Sequence, residues 1–84
     1  MNYNIFILRR AQKELGELST EAYARVRDSI RVLAENPRPP SCVKLVNREG
    51  WRIRAGDYRV IYEIDDAQKT VTILTIGHRR DVYR

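Results

Sequence analysis

Residues 51–64 read W-R-I-R-A-G-D-Y-R-V-I-Y-E-I, and this stretch decides the fold. Apolar residues alternate with arginines on both sides of Gly56-Asp57, the pattern of two antiparallel strands joined by a tight turn. A two-residue turn with glycine first is the type II′ arrangement, whose twist suits the flanking strands. It fixes a register in which Ala55 faces Tyr58, Arg54 faces Arg59, Ile53 faces Val60, Arg52 faces Ile61 and Trp51 faces Tyr62. Side chains alternate along a strand, so Trp51, Ile53, Ala55, Tyr58, Val60 and Tyr62 share one side. Arg52, Arg54 and Arg59 share the other. Like charges directly across from each other destabilise a hairpin, so a face that gathers three arginines points to an anionic partner. Guanidinium groups suit phosphate, because they stay charged and donate in a planar fork.

Outward from the hairpin, Thr70 to about Ile76 reads as a further strand, reached through a turn at Asp65–Gln68. Upstream, Cys42–Val46 reads as a short strand with Asn47–Gly50 as its turn. Residues 36–41, N-P-R-P-P-S, cannot form regular structure, since proline lacks a backbone donor and restricts its predecessor. Two helices precede them. Ala11, Leu15 and Leu18 make the stripe of a short one over 9–18, weakened by Gly16 near its end. Ser19-Thr20-Glu21 is a start signal, a hydroxyl cap followed by an acid in the first turn. Ala22, Val26, Ile30, Leu33 and Ala34 then mark a second helix that stops at Asn36-Pro37. Residues 3–8 are rich in β-formers. The order β-α-α-β-β-β predicts an α+β fold: a twisted, mostly antiparallel sheet with a helical hairpin over one face and the other face open for a ligand.

The chain of 84 residues makes a single domain over 1–84 with a thin core, because so short a chain buries little more than ~60% of its unfolded surface. With 43% apolar and 32% charged residues it is an ordinary globular composition, which argues against disorder. A net charge of +5 favours a polyanionic partner, the plain alternative being a solvated basic surface. One cysteine and one histidine exclude an internal disulfide and make a metal site improbable, so neither metal nor cofactor is expected. The apolar run Ile5–Leu8 is too short for a signal peptide or a membrane span, which predicts a cytoplasmic protein without membrane contact.

Beyond the hairpin arginines, the tail G-H-R-R-D-V-Y-R brings further candidates. His78 is the one side chain whose ordinary pKa lies near neutrality; a structural role is the competing explanation. Arg79 has the parity of Val71 and Ile73, and Arg80 the opposite, so at most one continues the inward side. Tyr83 serves either as core or as a base-stacking platform. Glu63 shares the arginine face, as an ion-pair partner or as a base. Lys44 and Arg48 add charge ahead of the hairpin. Asp65 and Asp66 are expected to do turn work.

Together these features resemble the RelE/ParE superfamily of toxins, and within it the RelE branch. The resemblance covers essentially the whole chain: strand, helical hairpin, A-E-N-P stop, Lys44-Leu45, W-R-I-R-A-G-D-Y-R-V-I-Y-E-I and I-G-H-R-R-D-V-Y. It implies a microbial-ribonuclease-like fold and a metal-independent endoribonuclease that cuts mRNA in the ribosomal A site. Carried over residue by residue, it implies that Arg52 and Arg54 occupy two basic strand positions of the site and that Arg59 stabilises charge on the scissile phosphate. Arg79 would serve the leaving 5′ oxygen and Tyr83 would stack on a base. Lys44, Arg48 and Arg80 are expected to bind substrate. The implied partners are a RelB-like antitoxin, the ribosome and mRNA, with operator DNA bound through the antitoxin. Many members carry lysines where this chain has Arg52 and Arg54, and arginine is a poor base, so His78 or Glu63 enters as candidate for that role, beside ribosomal groups and electrostatic preorganisation. Two other readings share the fold: a ParE-like inhibitor of DNA gyrase, and an inactive member that binds only its antitoxin.

Overall fold

The computed structural model describes residues 2–78. Strand β1 (Asn4–Ile7) leads into helices α1 (Arg9–Gly16) and α2 (Thr20–Glu35). Strands β2 (Val43–Lys44), β3 (Trp51–Ala55), β4 (Tyr58–Asp65) and β5 (Thr70–His78) follow. They form one five-stranded sheet in the order β1-β5-β4-β3-β2. β1 runs parallel to β5 and every other pairing is antiparallel, so the expected α+β architecture holds.

Local chemistry explains the helix ends. The Ser19 hydroxyl oxygen accepts the Ala22 N–H at 3.2 Å, with Glu21 in the first turn. Asn36 turns extended and Pro37 follows, which no helix can continue. The apolar stripe of α2, Val26, Ile30 and Leu33, is buried together with Ala11 of α1. These pack on Ile53, Ala55, Val60, Tyr62, Val71, Ile73 and Ile76 in a single cluster. The helices therefore cover the side of the sheet that the hairpin alternation marks as apolar.

The hairpin register is as read from sequence, from Trp51↔Tyr62 to Ala55↔Tyr58. Gly56 has φ +64, while Asp57 is not among the positive-φ residues, the sign pattern of a type II′ turn. β2 is shorter than the expected strand over 42–46. The Leu45 N–H bonds to the Gly50 carbonyl at 3.1 Å and Asn47 is left-handed at φ 64, so the chain closes its turn early.

β5 holds a feature that alternation alone does not reveal. Ile61 pairs with Thr75 but the adjacent Tyr62 pairs with Ile73, so Leu74 is an extra residue on β5. A bulge of this kind shifts the side-chain alternation by one. Val71 and Ile73 face the helices, and so, beyond the bulge, do Ile76 and His78, the partners of Val60 and Tyr58. A parity counted from Val71 and Ile73, the count behind the sides expected of Arg79 and Arg80, is therefore reversed between Leu74 and His78. Those two residues and Tyr83 lie outside the described part of the chain.

Beyond Ile7, the outer edge of β5 loses its neighbour. Glu14 of α1 fills the gap: its carboxylate accepts the Ile76 N–H at 2.9 Å and the Thr75 hydroxyl at 2.9 and 3.1 Å. A carboxylate that satisfies an exposed strand edge keeps it from pairing with another chain. Arg10 lies 3.5 Å from the same carboxylate, one helical turn away.

Candidate functional site: an arginine row on the open sheet face

The face away from the helices carries Arg52, Arg54, Ile61, Arg59 and Glu63, with Thr72, Thr75 and Gly77 opposite on β5. Arg54 and Arg59 are direct cross-strand partners, and Arg59 in turn faces Gly77. One rung across β3, β4 and β5 therefore reads Arg54–Arg59–Gly77. Arg52 sits on a neighbouring rung opposite Ile61. Ile61 is fully buried yet stands outside the cluster beneath the helices, so this face has an apolar floor between its arginines.

The electrostatics of the face are unusual. Among the described residues the ion pairs are Arg10–Glu14, Arg27–Asp28, Arg31–Asp28 and Arg38–Asp66. None includes Arg52, Arg54 or Arg59. The Nε atoms of Arg52 and Arg59 are buried without an acceptor, and a dehydrated donor with no partner is costly. An anion with several oxygens on this face would offset the Arg54–Arg59 repulsion.

The remaining candidates are distributed differently. Arg48 and Arg52 line one shallow groove with Val43 and Val46, so Arg48 extends the basic face. Lys44 lines the same groove. Lys44 pairs with Trp51 rather than with Arg52, and its ammonium lies 5.7 Å from the Trp51 ring centroid and 3.4 Å from the Gly50 carbonyl. His78 is the register partner of Tyr58, with the rings edge-to-face at 5.8 Å, on the helical side of the sheet and away from Arg59. Glu63 is on the arginine face and exposed, but four residues along β4 from Arg59, about 13 Å at strand rise.

Sequence reading missed a second charged centre at the opposite end of the sheet. Arg38 of the proline loop donates twice to Asp66, at 3.2 and 2.9 Å, and the Tyr3 hydroxyl donates to the same carboxylate at 2.6 Å. Arg38 also stacks 5.3 Å over Trp51. The Arg38 bond, then that of Tyr3, holds the Asp66 carboxyl down at about 2. The Tyr62 hydroxyl donates to the Pro37 carbonyl at 2.7 Å within the core; burial first, then Cys42, pushes that phenol above its usual range. Only Asp65 is confined to turn work, accepting the Gln68 N–H at 2.9 Å. Among the described residues no group of three His, Cys, Asp or Glu side chains could hold a metal ion, and no helix is long and apolar enough to cross a membrane.

Fold and face define a class: a small basic α+β protein that covers one side of its sheet with helices and carries on the other arginines that form no ion pair among the described residues. Residues 5–83 match the family model described as the ParE toxin of type II toxin-antitoxin system, parDE, and the chain belongs to that family, within the RelE/ParE superfamily. It is 34% identical over 88 residues to Toxin RelG of Mycobacterium tuberculosis, across 100% of this chain and 99% of that protein. The archaeal RelE–RelB complex from Pyrococcus horikoshii OT3 contains a chain that superposes with a TM-score of 0.84 at 30% identity, across 98% of this chain and 100% of that one. For the RelBE2 toxin–antitoxin complex of Mycobacterium tuberculosis the TM-score is 0.83 at 28% identity, across 94% and 100%. The chain is a type II toxin of the RelE kind, as the sequence resemblance implies.

Proposed function

We propose that this toxin is a ribosome-dependent endoribonuclease that cuts mRNA in the A site and is held inactive by a RelB-like antitoxin. The observation that carries the reading is the arginine row: Arg54 and Arg59 face each other across the hairpin, and neither belongs to an ion pair among the described residues. A site of this kind suits phosphoryl chemistry, in which positioning and charge stabilisation do most of the work. The substrate's 2′ oxygen attacks the adjacent phosphorus, the bond to the 5′ oxygen breaks, and the products are a 2′,3′-cyclic phosphate and a 5′-OH end. Arg59 stabilises the charge that builds on the phosphoryl oxygens, while Arg52, Arg54 and Arg48 hold the flanking backbone. Arg79 at the leaving oxygen, Tyr83 as a stacking platform and Arg80 as a further contact extend the same scheme.

Proton transfer is the part these arginines do not supply, since they cannot release a proton. His78 points to the helical side, and Glu63 is too far along β4 to share a phosphate with Arg59. The described residues thus act by electrostatic preorganisation, while groups of the ribosome or of the substrate take the 2′-OH proton and return one to the leaving 5′ oxygen. The antitoxin reading is supported by the solved RelE–RelB complexes that this chain resembles.

The test is the chemistry of the ends. Incubated with translating ribosomes, the toxin should create RNA fragments with 5′-OH and 2′,3′-cyclic phosphate ends, and leave ribosome-free mRNA whole. The matched family model carries the ParE name, which gives a second reading, inhibition of DNA gyrase. Gyrase-linked DNA breaks with intact mRNA would decide for that one.

A further inference from the structure

Gly77 lies inside β5, where a glycine weakens a strand, and its backbone does not call for one. The described residues with positive φ are Asn47, Gly50, Gly56 and Lys69, and Gly77 is not among them. Its peptide groups are not set aside for a ligand either. The Ile76 N–H points outward to Glu14, so by the alternation of backbone groups those of Gly77 turn inward to its partner Arg59. What Gly77 contributes is a missing side chain at the end of the Arg54–Arg59–Gly77 rung. Neighbouring strands lie about 4.8 Å apart, so a group resting on the Gly77 Cα is within reach of Arg59. β1 pairs only with Thr70–Ile73 and does not extend the rung past Gly77.

We propose that Gly77 is a positioning residue: its bare Cα opposite Arg59 is the seat on which the sugar–phosphate backbone of the RNA rests against the sheet. The inference rests on the nuclease reading above and specifies what the site takes hold of. Arginines on one side of the rung and a residue without a side chain on the other favour the backbone over a base. A side chain at position 77 would lift the scissile phosphate off the floor while leaving Arg59 in place.

The test compares wild type, Gly77→Ala and Gly77→Val in cleavage of mRNA on translating ribosomes, beside thermal unfolding of each toxin. Alanine and valine are at least as compatible with an extended strand as glycine, so both variants should unfold at the wild-type temperature or higher. Cleavage by Gly77→Val should fall about a hundredfold, the loss that a displacement of ~1 Å at a reacting centre produces. Gly77→Ala should lose less, and both losses should fall on kcat with KM for the ribosomal complex unchanged. Wild-type kcat in both variants would overturn the proposal, as would a loss confined to KM. So would a lowered unfolding temperature, which would assign the space at Gly77 to the protein's own packing. A wild-type toxin that cuts no mRNA would instead overturn the nuclease reading itself.

Discussion

Two groups of arginine use in this small protein stand in contrast. At one end of the sheet Arg38 grips Asp66 with two hydrogen bonds, shares it with Tyr3 and stacks on Trp51. On the open face Arg52, Arg54 and Arg59 have no such partner among the described residues, and the Nε atoms of two of them are buried without an acceptor. The first arrangement serves the fold: it ties the proline loop and the N-terminal segment to the β4–β5 turn. The second works against the fold, since repulsion and unmade hydrogen bonds are tolerated there. Unsatisfied charge of that kind is what the proposed RNA site would draw on.

The contrast predicts opposite outcomes for substitutions at the two ends. The largest effect is expected at the open face. Arg59→Ala should reduce mRNA cleavage by about 10²–10³-fold, the usual loss of a transition-state charge stabiliser. Its unfolding temperature should stay level or rise, because the Arg54–Arg59 repulsion is relieved; a clear fall in stability would place Arg59 among the structural arginines.

Next in size is an effect on folding alone. Tyr62→Phe deletes the buried bond to the Pro37 carbonyl and should cost about 1–3 kcal/mol, the penalty for leaving a buried acceptor unsatisfied. Urea unfolding measures it, and cleavage by the folded fraction should be unchanged. The smallest effect belongs to Asp66, which is exposed. Its carboxyl is depressed from 3.8 to about 2 in the folded state, so the stability it contributes is present above pH ~4 and fades as pH falls toward 2. Asp66→Asn should flatten that part of the acid limb. An unchanged acid limb would mean that the Arg38 clasp does not form in solution.

Much of the contrast was legible in the sequence, but only at one of its ends. The hairpin announces itself locally, since Gly56-Asp57 and strict alternation fix both register and the side on which the arginines fall. The helix start at Ser19 and the stop at Asn36-Pro37 are equally local. The Arg38–Asp66–Tyr3 clasp joins residues 28 and 63 positions apart, and nothing in the composition around them marks the pairing. Glu14 looks like a solvated helix acid until the fold brings the open edge of β5 against it. The bulge at Leu74 is hidden in T-I-L-T-I, where every residue is compatible with a regular strand, and it reverses the alternation just ahead of the tail. His78, a candidate from its chemistry alone, stands across from Tyr58 on the helical side of the sheet.

The proposed function makes the arginines without an ion pair among the described residues the working ones. It is tested most directly by mapping new 5′ ends on translated mRNA with wild type, Arg59→Ala and Asp66→Asn side by side. Codon-phased cuts from wild type and Asp66→Asn, with none above background from Arg59→Ala, are the predicted result. Cutting by Arg59→Ala at the wild-type positions and rate would contradict it.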